Sequence, residues 1–556
     1  MTEIPIMPFG KHAGTPISEL PQSYLTWMSK NLSDRYLRMC ADAVLAEKRM
    51  PTEEEAVYLD LDSEIIIIDA PFKFKDDIKT LPERSWNAEA KKWTSPLSMF
   101  DNLVEMFPEA QISSRLKDAA GISRTRQETL MKMSTSTDAD IPVDDRLYPF
   151  QRAGVAFIED TGGKCMIADE MGLGKSWQAL TWLKKHPELR PAVIVCPASM
   201  KSAWKNFVKE VIGVDNVILS GTNPKNGSIG DITIVNYDIL DAWKEKLYRS
   251  AAVVFDESHY IKSPDAQRSK AAKQIAYTSK HVVCLTGTPI MSKPIDLWQQ
   301  LNVIDPITWN DRFKFGIRYA DGKQVSIGGN KFWDFSGASN LEELADRLRS
   351  TIMIRRTKEQ VLPDLPEKIY ECIPVDITNR PEYDAIDDSD HPLAATNKQI
   401  MTSMRGKMKP VIRYIDDMTE SLDKIVVFTW HHEMFDAVME KFGDICVGLD
   451  SRTNQPQRDN AIEQFQNNPE CKIFVGNIQA AGVGITLTAA NHVVFTEIGW
   501  TPAEMDQATD RLHRIGQKNA VNVYYLIGSD TIDEHIYDTV IVKRKVFKKI
   551  MKEDQK

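Results

Sequence analysis

The chain is short of cysteine, of long hydrophobic runs and of excess positive charge, and each shortage closes off a class of protein. Its seven cysteines are scattered, with no Cys-x-x-Cys pair and no cysteine and histidine cluster at zinc spacing. A reduced compartment and no structural metal are therefore expected. Apolar runs such as Ile65 to Ile68 are far below the roughly 20 residues a helix needs to cross a bilayer. Nothing at the start reads as a secretory leader, and no membrane partner is expected. The formal net charge is −10. That argues against a polyanionic partner only if the charges are evenly mixed, because local patches neutralise phosphates. Nucleic-acid binding stays open.

What is present is size and a strong central motif. At 556 residues the chain exceeds the roughly 250 to 300 residues at which one core stops growing, so several domains are expected. The stretch CMIADEMGLGKSWQAL, Cys165 to Leu180, runs from an apolar strand end through a turn with Gly172 and Gly174 into a helix-forming segment from Lys175. Such a layout builds a phosphate cradle, in which backbone N–H groups close on an anion and the helix N-terminus adds partial positive charge. Lys175 would reach the outer phosphates and Ser176 would ligate Mg²⁺, while Asp169, standing where the usual loop has glycine, is expected among the nucleotide-binding residues with Gly172 and Gly174.

Upstream, MPFGKHAGTPISELPQSYLTWMSKNL has glycine turns at Gly10 and Gly14, then a helix with Leu25, Trp27, Met28 and Leu32 on its apolar side. It resembles a small domain of unknown function from bacterial and phage proteins, and reads equally as a helical cap. From Tyr58 to Leu116 come a strand, Ile65 to Asp69, and an aromatic cluster, with Phe72, Phe74, Trp86, Trp93 and Phe100 among Lys73, Lys75, Arg84, Lys91 and Lys92. Aromatics stack on unpaired bases while cations hold the backbone, so Trp86 and Trp93 are candidate DNA contacts; the alternative is that they fill a small core. LPERSW, a basic turn and KKWTSPL resemble the HARP domain of annealing helicases, which implies recognition of forked or branched DNA. Polar residues from Asp118 to Asp145 read as a linker.

Two α/β regions follow, each alternating β-branched apolar runs with amphipathic segments, the signature of parallel sheets covered by helices. AAVVFDESHY ends a buried strand in Asp256, a candidate Mg²⁺ ligand, and Glu257, a candidate for orienting the attacking water.

DEMGLGKS, DESH, LTGTP and QATDRLHRIGQ are similar in order and spacing to the Snf-type branch of superfamily 2 helicase-like ATPases, and nearest to its annealing-helicase subgroup, since this chain has Glu497 and WTP where nucleosome remodellers have Asp and WNP. The resemblance implies an α/β fold of two tandem RecA-like lobes with small α+β N-terminal domains. The boundaries expected are 1–50 for the first module, 58–116 for the HARP-like domain, 117–145 for the linker, 146–368 for the ATP-binding lobe and 369–556 for the C-terminal lobe.

The resemblance also implies roles. Gln151 reads adenine, so ATP and Mg²⁺ are the cofactors; Ser199, Lys201, Asn236, Thr429 and Thr486 face DNA; Gly482 and Gly484 allow close backbone approach; Thr286, Gly287 and Thr288 couple hydrolysis to movement. Residues 304–348 fit the family's helical protrusion. Gln507 helps seat ATP, and Arg511 and Arg514 are candidate arginine fingers, because a planar guanidinium suits the charge that builds on a transferred phosphoryl group. The basic helix at the C-terminus, IVKRKVFKKIMKEDQK, reads as a phosphate-tracking face or as a solvated last helix of the lobe.

The expected activity is ATP-driven translocation on duplex, forked or branched DNA. Its rivals are remodelling of a protein–DNA complex and an ATP-gated scaffold with little turnover. A monomer in a prokaryotic or viral cytoplasm is expected, with a nuclear location as the alternative, and no motif names a protein partner.

Overall fold

The computed structural model describes residues 5–8, 10–32, 34–49, 56–81, 83–327, 330–386, 392–481 and 484–551. The chain divides into two compact units, Met1–Arg126 and Gln127–Lys556.

The first unit holds two small cores. In one, Leu25 and Met28 of the helix Gln22–Asn31 pack with Ile17, Leu37 and Ala41. Trp27 is not on that apolar side; it is half-exposed and stacks on Tyr24 with ring centroids 5.5 Å apart. An indole three residues from neither Leu25 nor Met28 falls off their helical stripe. The second core lies on a five-stranded sheet ordered Ser85–Asn87, Lys92–Pro96, Ile65–Asp69, Tyr58–Asp62, Gln111–Ile112. Alternation sorts the strand Tyr58–Asp62, with Leu59 and Leu61 inward and Asp60 and Asp62 outward.

The stretch expected as a linker is helical over its first part, since one helix runs Ser114–Met133. Its apolar residues are sparse, but Leu116 enters the core of the first unit and Leu130 a core of the second.

The second unit contains two wholly parallel sheets. The first is ordered Met353–Ile354, Lys164–Ile167, His281–Leu285, Ala252–Asp256, Ala192–Cys196, Ile232–Asn236, Asn216–Ile218. The second is ordered Lys368–Val375, Val521–Gly528, His492–Phe495, Ile425–Thr429, Ile473–Asn477, Cys446–Leu449. The central strands are buried throughout, which is why they read as unbroken β-branched runs. Between residues 304 and 348 the structure adds an antiparallel pair, Lys323–Ile327 with Asn330–Asp334, to the helices Arg312–Tyr319 and Leu341–Arg349.

The last helix, Ile532–Met551, belongs to both lobes, which corrects its reading as a solvated or DNA-tracking face. Ile536 and Val540 enter the second lobe's core, whereas Ile550 and Met551 enter the first lobe's, with Val546 and Phe547 packed against it. Two of its cations face inward, Arg544 pairing with Asp506 and Lys543 Nζ donating to Trp500 O at 2.7 Å, while Lys545, Lys548 and Lys549 are exposed.

Candidate functional site

The phosphate-loop geometry follows from its glycines. Gly172 and Gly174 hold φ of +83° and +71°, in the left-handed region, and the helix Lys175–Lys185 starts directly after them. A Cβ on Gly174 would meet Gln151 Nε2 at 2.3 Å, so only glycine lets that amide sit against the loop. Gln151 is held there at both ends, its Oε1 accepting from Tyr148 N at 3.0 Å and its Nε2 donating to Leu173 O at 3.2 Å.

Lys175 is buried and donates to Asp169 O at 2.8 Å, with burial lowering its pKa and the carboxylates of Glu257 and Asp169 opposing that fall. Ser176 lies part-buried in the first turn.

Asp169 is not turned toward the loop's anion site. It is fully buried and accepts from Arg356 Nε at 2.9 Å and from Gln178 Nε2 at 3.0 Å. Its role is structural, because an acid buried this deeply needs a fixed cation.

Asp256 and Glu257 end the central strand side by side. Burial raises Asp256, and repulsion from Glu257 raises it further. Trp204 Nε1 donates to Asp256 Oδ2 at 2.7 Å, and Tyr237 Oη donates to Asp256 O at 2.7 Å. Glu257 has φ of +49°, and burial raises its pKa against the pull of Lys175, Arg511 and Arg514. Its buried Oε2 makes no hydrogen bond, with His259 Nδ1 3.4 Å away. Two adjacent acids held above the ordinary carboxylate range, with one oxygen unsatisfied, suit a divalent cation and a water.

His259 is kept neutral by burial, its pKa lowered to about 3. Its Nδ1 lies 3.2 Å from Thr286 Oγ1 and 3.4 Å from Thr288 Oγ1, and Gln507 Nε2 donates to Thr288 Oγ1 at 3.3 Å. Glu257, His259, Thr288 and Gln507 thus form a continuous path from one lobe into the other. Gly287 is required between the threonines, because a Cβ there would come within 2.4 Å of Met171 Cγ.

The second lobe delivers its arginines to the loop. Arg511 is buried, with burial and its neighbour Arg514 lowering its pKa to about 9 while Glu257 attracts it. Its Nε donates to Gln507 O at 3.1 Å. Arg514 Nε donates to Asp510 O at 2.9 Å, and a Cβ on Gly172 would lie 3.5 Å from Arg514 Cγ. The lobes are therefore closed on each other, with Lys175 and Arg511 buried and Glu257 and Arg514 part-buried at the seam between them.

The residues expected to face DNA are less uniform. Ser199 and Lys201 are part-exposed, and Lys201 Nζ donates to Leu219 O at 3.2 Å. Thr486 is exposed and accepts from Arg514 Nη1 at 3.0 Å. Gly484 approaches the first lobe closely: a Cβ there would meet Met200 Sδ at 2.6 Å, which sets the Ser199–Lys201 turn beside the Gly484–Thr486 turn. Gly482 lies outside the described residues.

Asn236 and Thr429, in contrast, are buried and are not presented at the surface. The Asn236 amide donates to Asp238 Oδ2 at 3.1 Å, and Thr429 is covered at a strand end where Glu497 accepts from Trp430 N at 2.9 Å and pairs with His431. In the first unit Trp86 is 51% exposed, edge-on to a part-buried Trp93 with centroids 5.1 Å apart, and Phe72 is 82% exposed under Lys75.

Sequence reading passed over several participants. Trp204 and His259 carry no expected role, and Tyr237, which in TIVNYDIL beside Asn236 resembles a DNA-facing position, is instead buried and bonded to the Asp256 backbone. Arg355, Arg356 and Lys358 lie in MIRRTKEQVLPDLPEK, which resembles the family's connection out of the first lobe, yet they reach the site: Arg355 Nη1 donates to Gly287 O at 2.9 Å, and Lys358 N donates to Glu170 Oε2 at 2.7 Å. A run of three cations in four residues, straight after a buried strand, was the available signal.

Comparison with known proteins yields matches over most of the chain. A model of the SNF2-related domain matches residues 22–409, one of the helicase conserved C-terminal domain matches residues 406–516, and one described as a putative quorum-sensing-regulated virulence factor matches residues 4–32. A Caenorhabditis elegans protein, SWI/SNF-related matrix-associated actin-dependent regulator of chromatin subfamily A-like protein 1 homolog, is 32% identical over 534 residues, 89% of this chain and 76% of the relative. Its Xenopus tropicalis counterpart is 31% identical over 509 residues, covering 84% of this chain and 52% of the relative. Human DNA annealing helicase and endonuclease ZRANB3 is 33% identical over 431 residues, 72% of this chain and 40% of the relative. The chain thus spans about half the length of the frog relative and less of the human one.

The solved Sulfolobus solfataricus SWI2/SNF2 ATPase core in complex with dsDNA matches with 27% identity and a TM-score of 0.38, over 75% of this chain and 96% of that one. The expectation of a prokaryotic or viral cytoplasm is corrected by the relatives, which come from nematode, frog and human and are described as chromatin regulators and a DNA annealing helicase.

Proposed function

The chain belongs to the SNF2-related family of helicase-like, DNA-dependent ATPases, and from that premise we propose that it is a motor that couples ATP hydrolysis to movement on duplex or branched DNA, annealing strands or remodelling forks. The observation that carries this is the closed seam between the lobes, where Arg514 packs on the Gly172 turn beside Lys175 and Gln507 bonds to Thr288.

Gln151, the Gly172–Gly174 turn and Lys175 would hold the nucleotide, and Ser176 and Asp256 would hold Mg²⁺. When bound, ATP would supply the phosphoanhydride bond and Mg²⁺ the positive charge that offsets its phosphates. Glu257 orients the attacking water and takes up its proton, for which a raised pKa suits it. Arg511 and Arg514 place guanidinium charge where the leaving oxygens become negative. His259 and Thr288 pass the state of that site to Gln507, so each turnover opens or closes the two lobes.

Juxtaposition of the Ser199–Lys201 and Gly484–Thr486 turns supports a DNA groove that both lobes share. The description of the human relative as an annealing helicase supports the rewinding activity, and the exposed aromatics and lysines of residues 58–116 support fork recognition by that domain. A second reading, remodelling of a protein–DNA complex, is favoured by the relatives described as chromatin regulators.

Phosphate release measured with single-stranded, duplex and forked DNA tests the proposal, together with ATP-dependent rewinding of a partly melted duplex. Forked DNA should stimulate most, and Lys175→Ala should abolish both activities in a folded protein. Rewinding that proceeds without ATP would refute the motor; stimulation only by protein-bound DNA would favour the second reading.

A further inference from the structure

We propose that Lys358 is a positioning residue for the arginine pair, an inference that rests on the role assigned above to Arg511 and Arg514. Lys358 lies in the short helix Lys358–Val361, on the connection between the two sheets. Its side chain is buried, and Nζ lies 2.8 Å from Asp510 Oδ1 and donates to the His513 carbonyl. Its backbone N–H donates to Glu170 Oε2 at 2.7 Å, and its Cε would be 3.5 Å from a Cβ on Gly172. One residue therefore touches the phosphate loop on one side and, on the other, the segment that carries both arginines.

The contacts on the Asp510 segment are the ones that orient its neighbours. Arg514 Nε donates to Asp510 O, and Arg511 lies between Asp510 and His513. Lys368 adds a second ammonium 2.7 Å from Asp510 Oδ1 and 3.6 Å from Glu170 Oε1.

Glu170, Asp510 and His513 are near enough to one another to suggest a metal site. The carboxylates already hold two ammonium groups, and the imidazole faces Pro366 O at 2.6 Å through Nε2 and Lys358 Nζ at 3.4 Å through Nδ1. This is a pin rather than a chelate. A buried ammonium is stable only while its acids stay in place, so Lys358 holds the arginine segment in one register against the loop.

The test is steady-state ATP hydrolysis by the full chain with saturating duplex DNA. Lys358→Met keeps the packed stem and removes the charge; it should lower kcat by about 100-fold, the scale of a 1 Å misplacement, with the KM for ATP changed by less than about threefold. Lys358→Arg should restore most of the loss. Asp510→Asn, which preserves shape, should reproduce it, and the double variant should be no worse than the worse single one. Arg514→Ala is measured in parallel. If it is inactive while Lys358→Met turns over within about twofold of the parent, the positioning role alone is overturned. If Arg514→Ala itself turns over normally, the arginine assignment fails instead. A Lys358→Met protein with a lowered melting midpoint, raised KM and no rescue by arginine would show a merely structural role and overturn the proposal.

Discussion

The nucleotide-facing and DNA-facing sides of the second unit are built differently. Around Lys175 and Glu257 nearly every polar side chain is buried and tied to another: Gln151 to the loop, Asp256 to Trp204, His259 to the threonines, Arg511 to Gln507. On the side expected to meet DNA, Ser199 and Thr486 are accessible, Asn236 and Thr429 are buried, and Lys201 and Thr486 already bond within the protein. The difference reflects the ligand. Phosphoryl transfer needs charges fixed in a dry site before the reaction begins, whereas a phosphate backbone is gripped by groups that can stay solvated until it arrives.

That contrast can be broken most forcefully at Glu257. Glu257→Gln should lower DNA-stimulated turnover by about 100- to 10,000-fold, the range for losing a positioned base, while nucleotide binding measured by calorimetry persists. Near-normal turnover would mean that the acid cluster is only structural.

Asp169 and Arg356 come next, since both are fully buried and each is the other's counter-charge. Asp169→Ala should cost about 3–5 kcal/mol in urea unfolding, because it strands a buried guanidinium. A variant that melts like the parent but binds nucleotide poorly would return Asp169 to the nucleotide site.

A smaller effect is expected on the first unit. Trp86→Ala should weaken forked-DNA binding by about 1–3 kcal/mol, the worth of one stacked base, and leave duplex-stimulated hydrolysis unchanged. Equal fork affinity would assign that half-exposed indole to packing with Trp93.

The smallest effect is a pH slope. His259 titrates near 3 when folded and near 6.5 when unfolded, so between those values the unfolded chain binds the extra proton and stability falls as pH falls. His259→Gln should flatten the parent's stability profile between about pH 6.5 and pH 4 by up to about 1.4 kcal/mol per pH unit. An unchanged slope would mean that His259 is not held neutral.

The sequence showed most of the fold and much of the nucleotide site, for physical reasons. Unbroken runs such as AVIVC and AVVFD announce strands covered on both faces, and glycines next to a lysine announce a loop closing on an anion. Arg511 and Arg514 were legible only through the resemblance that QATDRLHRIGQ carries; their spacing of three suggests a helix, but the helix Pro502–Thr509 ends before them and they sit in the turn that follows it. The residues that hold those groups in place were not. Trp204 reaches Asp256 across 52 positions, and Arg356 reaches Asp169 across 187, distances over which no periodicity speaks. The final helix was misread because its apolar residues serve two cores in succession, so its second half, alone, looked like a basic surface. The stretch expected as a linker does contain the division between the two units, but its helical first part was not legible, because its apolar residues are sparse.

The central claim is that neither lobe holds a complete site, and Arg511→Ala tests it most directly. With saturating DNA, the variant should bind a non-hydrolysable ATP analogue within about tenfold of the parent's affinity yet release phosphate at least about 1,000-fold more slowly, as expected when guanidinium charge is lost from the transition state alone. Phosphate release within about threefold of the parent would contradict it, since the first lobe would then suffice without the second lobe's charge.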